Sequence, residues 1–165
     1  MKQIKYHFPI LLMFITHLVM AQIPCTSGFN ANGTNDYITV PNTDAINLQN
    51  TRNRTIEFWF KPSDITTRQV MYEEGAQVNT ILIFIEKGRV YLGAYRNNAT
   101  SNANRRFFRS GAGEIEVDKW SHIAITLTDS PSLTLKWFLD GEEQDSQNGL
   151  QVNTHSGDIA IGRNG

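Results

Sequence analysis

A chain of 165 residues has room for one domain of ordinary size, and 40% hydrophobic residues, among them nine Phe, five Tyr and three Trp, supply the apolar surface for a core. That content excludes long disordered tracts. The formal net charge of −1 leaves no basic footprint, which argues against nucleic acid and anionic membrane as partners.

The chain begins with a positive segment, Lys2 and Lys5, followed by an apolar run from Phe8 to Met20. A membrane span needs about 20 apolar residues, and this run is shorter. Val19-Met20-Ala21 offers small residues where a signal peptidase reads, so residues 1–21 are predicted to be a cleaved leader and 22–27 a short tail. An uncleaved anchor helix is the alternative. A lipoprotein would need Cys at the cleavage point, and Cys25 lies four residues past Ala21. The leader implies a protein that is secreted or held at the cell surface. Without Lys2 and Lys5 the net charge falls from −1 to −3. Cys25 is the only cysteine, so its partner lies in further chain or another molecule, or it is a free thiol. With one Cys, and His122 and His155 the only His past the leader, no zinc-ligand spacing exists.

Beyond the leader no amphipathic helix is evident. Short apolar runs alternate with polar, Gly- or Asn-rich turns. In Thr55 to Lys61, Ile56, Phe58 and Phe60 face one way, while Glu57, Trp59 and Lys61 face the other. Thr80 to Glu86 is apolar on both faces. It is followed by a Lys87-Gly88 turn and a returning strand from Arg89 to Tyr95, a hairpin signature. Ser121 to Thr128 aligns Ile123, Ile125 and Leu127, and Leu133 to Leu139 aligns Leu133, Leu135, Trp137 and Leu139. This period of two predicts half-buried strands. Weaker candidates are Tyr37 to Val40, Gln69 to Glu73, Arg105 to Arg109, Glu114 to Val117 and Asp158 to Ile161, and Asp140-Gly141 reads as a turn. Arg96 to Arg106 reads as an exposed loop. About nine or ten short strands without helices predict an all-β antiparallel sandwich.

The order of motifs resembles the LamG-like jelly roll of the concanavalin A-like lectin/glucanase superfamily. Gly28 to Pro41 is similar to its opening segment, Ile56 to Pro62 to the strand that follows, and Lys119 to Thr126 to its Trp-x-His strand. Asp140-Gly141 is similar to its turn and Asp158 to Arg163 to its Ile-Gly strand. The resemblance implies a jelly-roll β-sandwich over 28–165 that lacks its closing strand or strands, as part of a longer multidomain protein. It also implies a non-catalytic module that binds carbohydrate or an extracellular protein surface. A glycoside hydrolase or its accessory domain, and a structural or adhesion spacer, are the alternatives.

Site residues follow from the same likeness. Some glucanases of the superfamily carry three acidic residues at alternate strand positions, where two can act as nucleophile and acid. Glu114, Glu116 and Asp118 have that spacing, but their order departs from the Glu-Asp-Glu pattern, and a solvated acidic face is the expected reading. His122 resembles a structural His and is assigned a packing role, and Trp120 is assigned to the core. Calcium is the one cofactor implied, with Asn32, Asn35 and Asp36 as candidate oxygen ligands or, alternatively, as a simple turn. For ligand binding, Tyr91 and Tyr95 share one side of a strand, spaced by Gly93. If Trp59 lies on the same surface, the three form a shallow binding face with Arg96. The alternative is that these aromatics fill core. Asn32, Asn53 and Asn98 open Asn-x-Thr triplets, which matter only in a glycosylating pathway.

Overall fold

The structure is a computed structural model that describes residues 27–46, 53–75, 80–95, 105–129, 132–149, 155 and 157–163. The expected leader 1–21 and Cys25 therefore lie outside the described residues. Ten strands and no helix are present among the described residues: β1 (Ile38–Val40), β2 (Arg54–Phe60), β3 (Gln69–Glu74), β4 (Thr80–Glu86), β5 (Arg89–Tyr95), β6 (Arg105–Arg109), β7 (Ser121–Asp129), β8 (Leu133–Leu139), β9 (Glu142–Gln147) and β10 (Ile159–Ile161). They form two antiparallel sheets. One has six strands in the order β1-β10-β3-β4-β5-β6, the other four in the order β2-β7-β8-β9.

Alternation drives this arrangement. Along β8, Leu133, Leu135, Trp137 and Leu139 are buried and the residues between them are half-buried. β7 repeats the pattern with Ile123, Ile125 and Leu127, and β4 with Ile81, Ile83 and Ile85. Successive side chains in a strand point to opposite faces, so each of these sets lands on one side. The inward sets of both sheets meet in one apolar cluster, joined by Val90, Leu92 and Phe108. Each such Ile or Leu contributes about 1.5–3 kcal/mol when fully buried.

Two turns fix the registers. Lys87 and Gly88 both have positive φ, 52° and 67°, and join β4 to β5 with Glu86 opposite Arg89. Asp140 and Gly141, at 50° and 87°, join β8 to β9 in the same way. Positive φ at both central residues gives the turn the twist that a tight hairpin needs.

Strand bounds follow the sequence pattern closely, with two differences. Glu114 to Val117 is not a strand. Ile115 alone plugs into the core, its neighbours are exposed, and Gly113 and Asp118 with φ of 77° and 59° break the extended run. The acidic–apolar alternation imitates a strand, but no strand among the described residues pairs with it. Conversely, β9 carries the sequence EEQDSQ, which has no apolar face. It becomes a strand because the Asp140-Gly141 turn folds it back on β8. Lys136 Nζ then pairs with Glu143 Oε2 at 2.8 Å. A polar edge strand also resists pairing with other chains.

One charged group sits inside the sandwich. Glu74 ends β3 in the inward register, opposite Ile81, and its side chain is fully buried. Its Oε2 accepts from Arg54 Nη2 of the other sheet at 2.5 Å and from the Tyr72 hydroxyl at 2.8 Å. Its Oε1 lies 2.8 Å from His155 Nε2. The Arg54 Nη1 also donates to the Ile46 carbonyl, and Asn42 Nδ2 to the His155 carbonyl. Burial first, and the Glu74 charge second, push the Tyr72 phenol up, which keeps it a donor. The carboxylate thus links both sheets and the loop that enters β10. Glu74→Ala strips three partners at once and leaves Arg54 uncompensated. It is expected to cost about 3–5 kcal/mol, read as a lowered urea midpoint, with Glu74→Gln losing less.

Candidate functional site

The core uses one face of each strand, so the outer faces hold whatever is left for function. On β2, Ile56, Phe58 and Phe60 pack against the core, and Thr55, Glu57 and Trp59 point outward. Trp59 is 65% exposed. It pairs in register with His122 of β7, and the two rings lie 4.9 Å apart, tilted by 42°. The next row inward runs Glu57, Ala124, Phe138 and Glu143 across the four strands. His122 Nε2 stands 3.9 Å from Glu57 Oε2, beyond direct hydrogen-bond reach.

The backbone at this place is held from two sides. The His122 amide donates to Asp140 Oδ1 at 2.6 Å, and the Asp140 amide donates to the His122 carbonyl at 2.8 Å. Asp140 thus turns the β8–β9 hairpin and anchors His122. The Asp118 amide donates to the Pro62 carbonyl at 2.8 Å, which lays the 116–120 turn beside the end of β2. Glu116 and Lys119 form an ion pair at 2.6 Å on that turn.

Trp120 is a correction to the sequence reading. It is 51% exposed, not core. Ser121 is the buried residue, so the alternation of β7 carries back to place Trp120 on the outer side with His122. Val117, on the same turn, is 45% exposed. The exposure of Trp120 was legible in principle: the register that points Ile123 and Ile125 inward points an even-numbered neighbour outward. His122 lies against Trp59 on the outer face of the sheet.

Tyr91 belongs elsewhere. Val90 and Leu92 point into the core, which puts Tyr91 on the outer face of the six-stranded sheet. It stacks on Phe84 at 4.8 Å with the rings nearly parallel, and the Arg68 guanidinium lies 4.1 Å from the Phe84 centroid. Above Gly93 lies Phe107, whose ring a Cβ there would meet at 3.1 Å. Trp59 and Tyr91 therefore lie on opposite outer surfaces and do not form one face. Arg96 and the side chain of Tyr95 lie outside the described residues.

The acidic trio is not assembled on a strand. Glu116 is paired with Lys119, Asp118 sits at positive φ, and Glu114 lines a separate open hollow with Leu139, Asp140, Glu142 and Gln144. The alternate-face geometry that would bring three carboxylates together is absent in 114–118.

Asn32, Asn35 and Asp36 do come together, as a loop closed on itself. Asn32 Oδ1 accepts from the amides of Thr34, Asn35 and Asp36, and Asp36 Oδ2 accepts from the Asn32 amide. Asn32 Nδ2 donates to Asn35 Oδ1 at 2.7 Å. Calcium takes six to eight oxygens. Here Asn32 Oδ1, Asn35 Oδ1 and Asp36 Oδ2 accept from the loop's own donors. No group of three His, Cys, Asp or Glu side chains gathers as a metal cluster among the described residues. As arranged, these residues build a side-chain-capped turn.

Because Trp59 contributes little to the core, its loss should be mild. Trp59→Ala is expected to change stability by less than about 1 kcal/mol. Trp137→Ala, at a residue 1% exposed, should cost about 3–5 kcal/mol. Urea melts of the two variants read the difference directly.

No curated protein matches the sequence. Among solved structures, domains LG4-5 of the mouse laminin alpha1 chain are similar, with 16% identity and a TM-score of 0.57, over 81% of this chain and 32% of that one. The binding domain of botulinum neurotoxin serotype D is similar at 17% identity and a TM-score of 0.59, over 76% and 31%. The binding domain of Paraclostridial Mosquitocidal Protein 1 gives 17% and 0.62, over 80% and 34%. The chain spans about a third of the length of each of these, and at such identity the likeness is one of fold. The family model for laminin G 3 domains matches residues 32–165, nearly the whole of the strand-bearing chain. The chain belongs to the concanavalin A-like lectin/glucanases superfamily.

Proposed function

We propose that this chain is a secreted, non-catalytic binding module that takes carbohydrate or an extracellular protein surface on the outer face of its four-stranded sheet. The observation that carries this reading is Trp59, a large apolar side chain 65% exposed in the middle of a polar register, where the fold makes little use of it. Exposed aromatics beside hydrogen-bonding groups are what recognition surfaces use. Two of the similar structures are named as binding domains, which supports a binding role over a catalytic one. The apolar leader at 8–20 supports export. Fold alone does not decide function in this superfamily, so the reading rests on the face itself.

The test is a binding screen of the purified full chain against glycan arrays and extracellular proteins, repeated with Trp59→Ala. For whatever ligand is found, Trp59→Ala should weaken binding about tenfold or more while the melting curve stays in place. Unchanged binding by a folded Trp59→Ala variant would contradict the proposal.

A further inference from the structure

The two sheets end in strands of opposite charge, and both ends lie on one flank of the sandwich. β6 closes the six-stranded sheet and reads RRFFR, with Arg105, Arg106 and Arg109. β9 closes the four-stranded sheet and reads EEQDSQ, with Glu142, Glu143 and Asp145. Glu114 ties the two ends together. Its carboxylate sits beside Gly111, just past β6, and it lines the open hollow with Leu139, Asp140, Glu142 and Gln144 at the β8–β9 turn. The opposite flank is the one where Arg54 of β2 reaches Glu74 of β3.

Among the described residues no strand pairs with the free side of β6 or of β9. Each therefore presents a row of backbone N–H and C=O groups. Charge decides which strands can lie there. Paired strands run about 4.8 Å apart, well inside a Debye length of about 8 Å. A second β6 beside β6 would bring Arg against Arg, and a second β9 beside β9 would bring carboxylate against carboxylate. β6 beside β9 matches three arginines with three acidic residues. The charges that turn other strands away thus admit this one. Glu143 is engaged with Lys136, but both are nearly half exposed, and a surface pair of that kind is easily exchanged. Phe107, 68% exposed in the middle of β6, would lose water to a strand laid alongside.

Within one molecule the two edges belong to different sheets, stacked about 10 Å apart, so they cannot pair with each other. A second copy removes that obstacle. Turned about a two-fold axis that runs along the strands, it sets its β9 beside β6 and its β6 beside β9. One rotation satisfies both edges and closes the assembly. We propose that this flank is a self-association surface whose partner is a second copy of this chain. Each sheet then continues across the contact into the other kind of sheet. The Trp59 faces stay clear of the contact and look out from opposite surfaces of the pair.

Sedimentation velocity of the full chain over a series of protein concentrations tests this. The chain is expected to dimerise reversibly. Raising the salt from about 0.1 M to about 1 M cuts the Debye length roughly threefold and should weaken the dimer about tenfold or more. Arg105→Glu/Arg109→Glu reverses β6, and Glu142→Lys/Asp145→Lys reverses β9. Each variant alone, with its melting curve in place, should also dimerise about tenfold or more weakly. An equimolar mixture of the two should form a heterodimer, because each reversed edge then meets its complement. A chain that stays monomeric at every concentration, or a dimer indifferent to salt, would overturn the proposal. So would a dimer that a folded variant keeps in full, or a mixture of folded variants that stays monomeric. Should a variant fail to fold, the salt series reads the same contact without any substitution.

Discussion

The pleat of a β-strand gives it two faces, and a two-sheet core can use only one of them. Everything else in this protein depends on that constraint. It gathers Ile81, Ile83, Ile85, Ile123, Ile125, Leu135 and Trp137 into one interior. It also defines what is left over. Trp137 and Trp59 are the same residue type in two strands of the same sheet, yet one is sealed and the other is 65% exposed. Packing accounts for the first. The second is an apolar group left in water, and the proposed binding role gives it a use.

The inward face admits one exception of its own. Glu74 carries a carboxylate into the core, and it is tolerated because Arg54, Tyr72 and His155 surround it. A buried pair of this kind does not by itself add stability, but it is exacting about geometry. It holds β2 against β3, and β2 is the strand that presents Trp59. The other end of the site is set by Asp140, which adopts positive φ to turn one hairpin and bonds His122 through both its amide and its carboxylate. Fold and candidate site thus share residues. The display of Trp59 beside His122 follows from how the sheets are tied together.

Much of this was readable from the chain alone. The runs around Phe58, Ile125 and Leu135 alternate so regularly that their inward and outward sets needed no structure. Lys87-Gly88 and Asp140-Gly141 announced their turns by residue type. β9 was hidden because it is an edge strand made by its turn and its neighbour, with no apolar signal in Glu142 to Gln147. Glu114 to Val117 misled for the opposite reason, since local alternation without a partner strand is not a strand. Trp59 was readable as outward-facing between Glu57 and Lys61. Its distance from Tyr91 was not, because which strands share a sheet is decided by pairings far apart in sequence. Trp120 went astray because its hydrophobicity outweighed its register.

The central claim is that the outer face of the four-stranded sheet, at Trp59, is where this protein meets its ligand. The most direct measurement follows the three indole N–H signals and the backbone amides by NMR during titration with a mixture of neutral gluco- and xylo-oligosaccharides. The account predicts shifts at Trp59, His122 and Glu57, with the Trp137 signal unmoved. Shifts gathered instead around Tyr91, Phe84 and Phe107, with Trp59 unmoved, would contradict it and move the site to the six-stranded sheet.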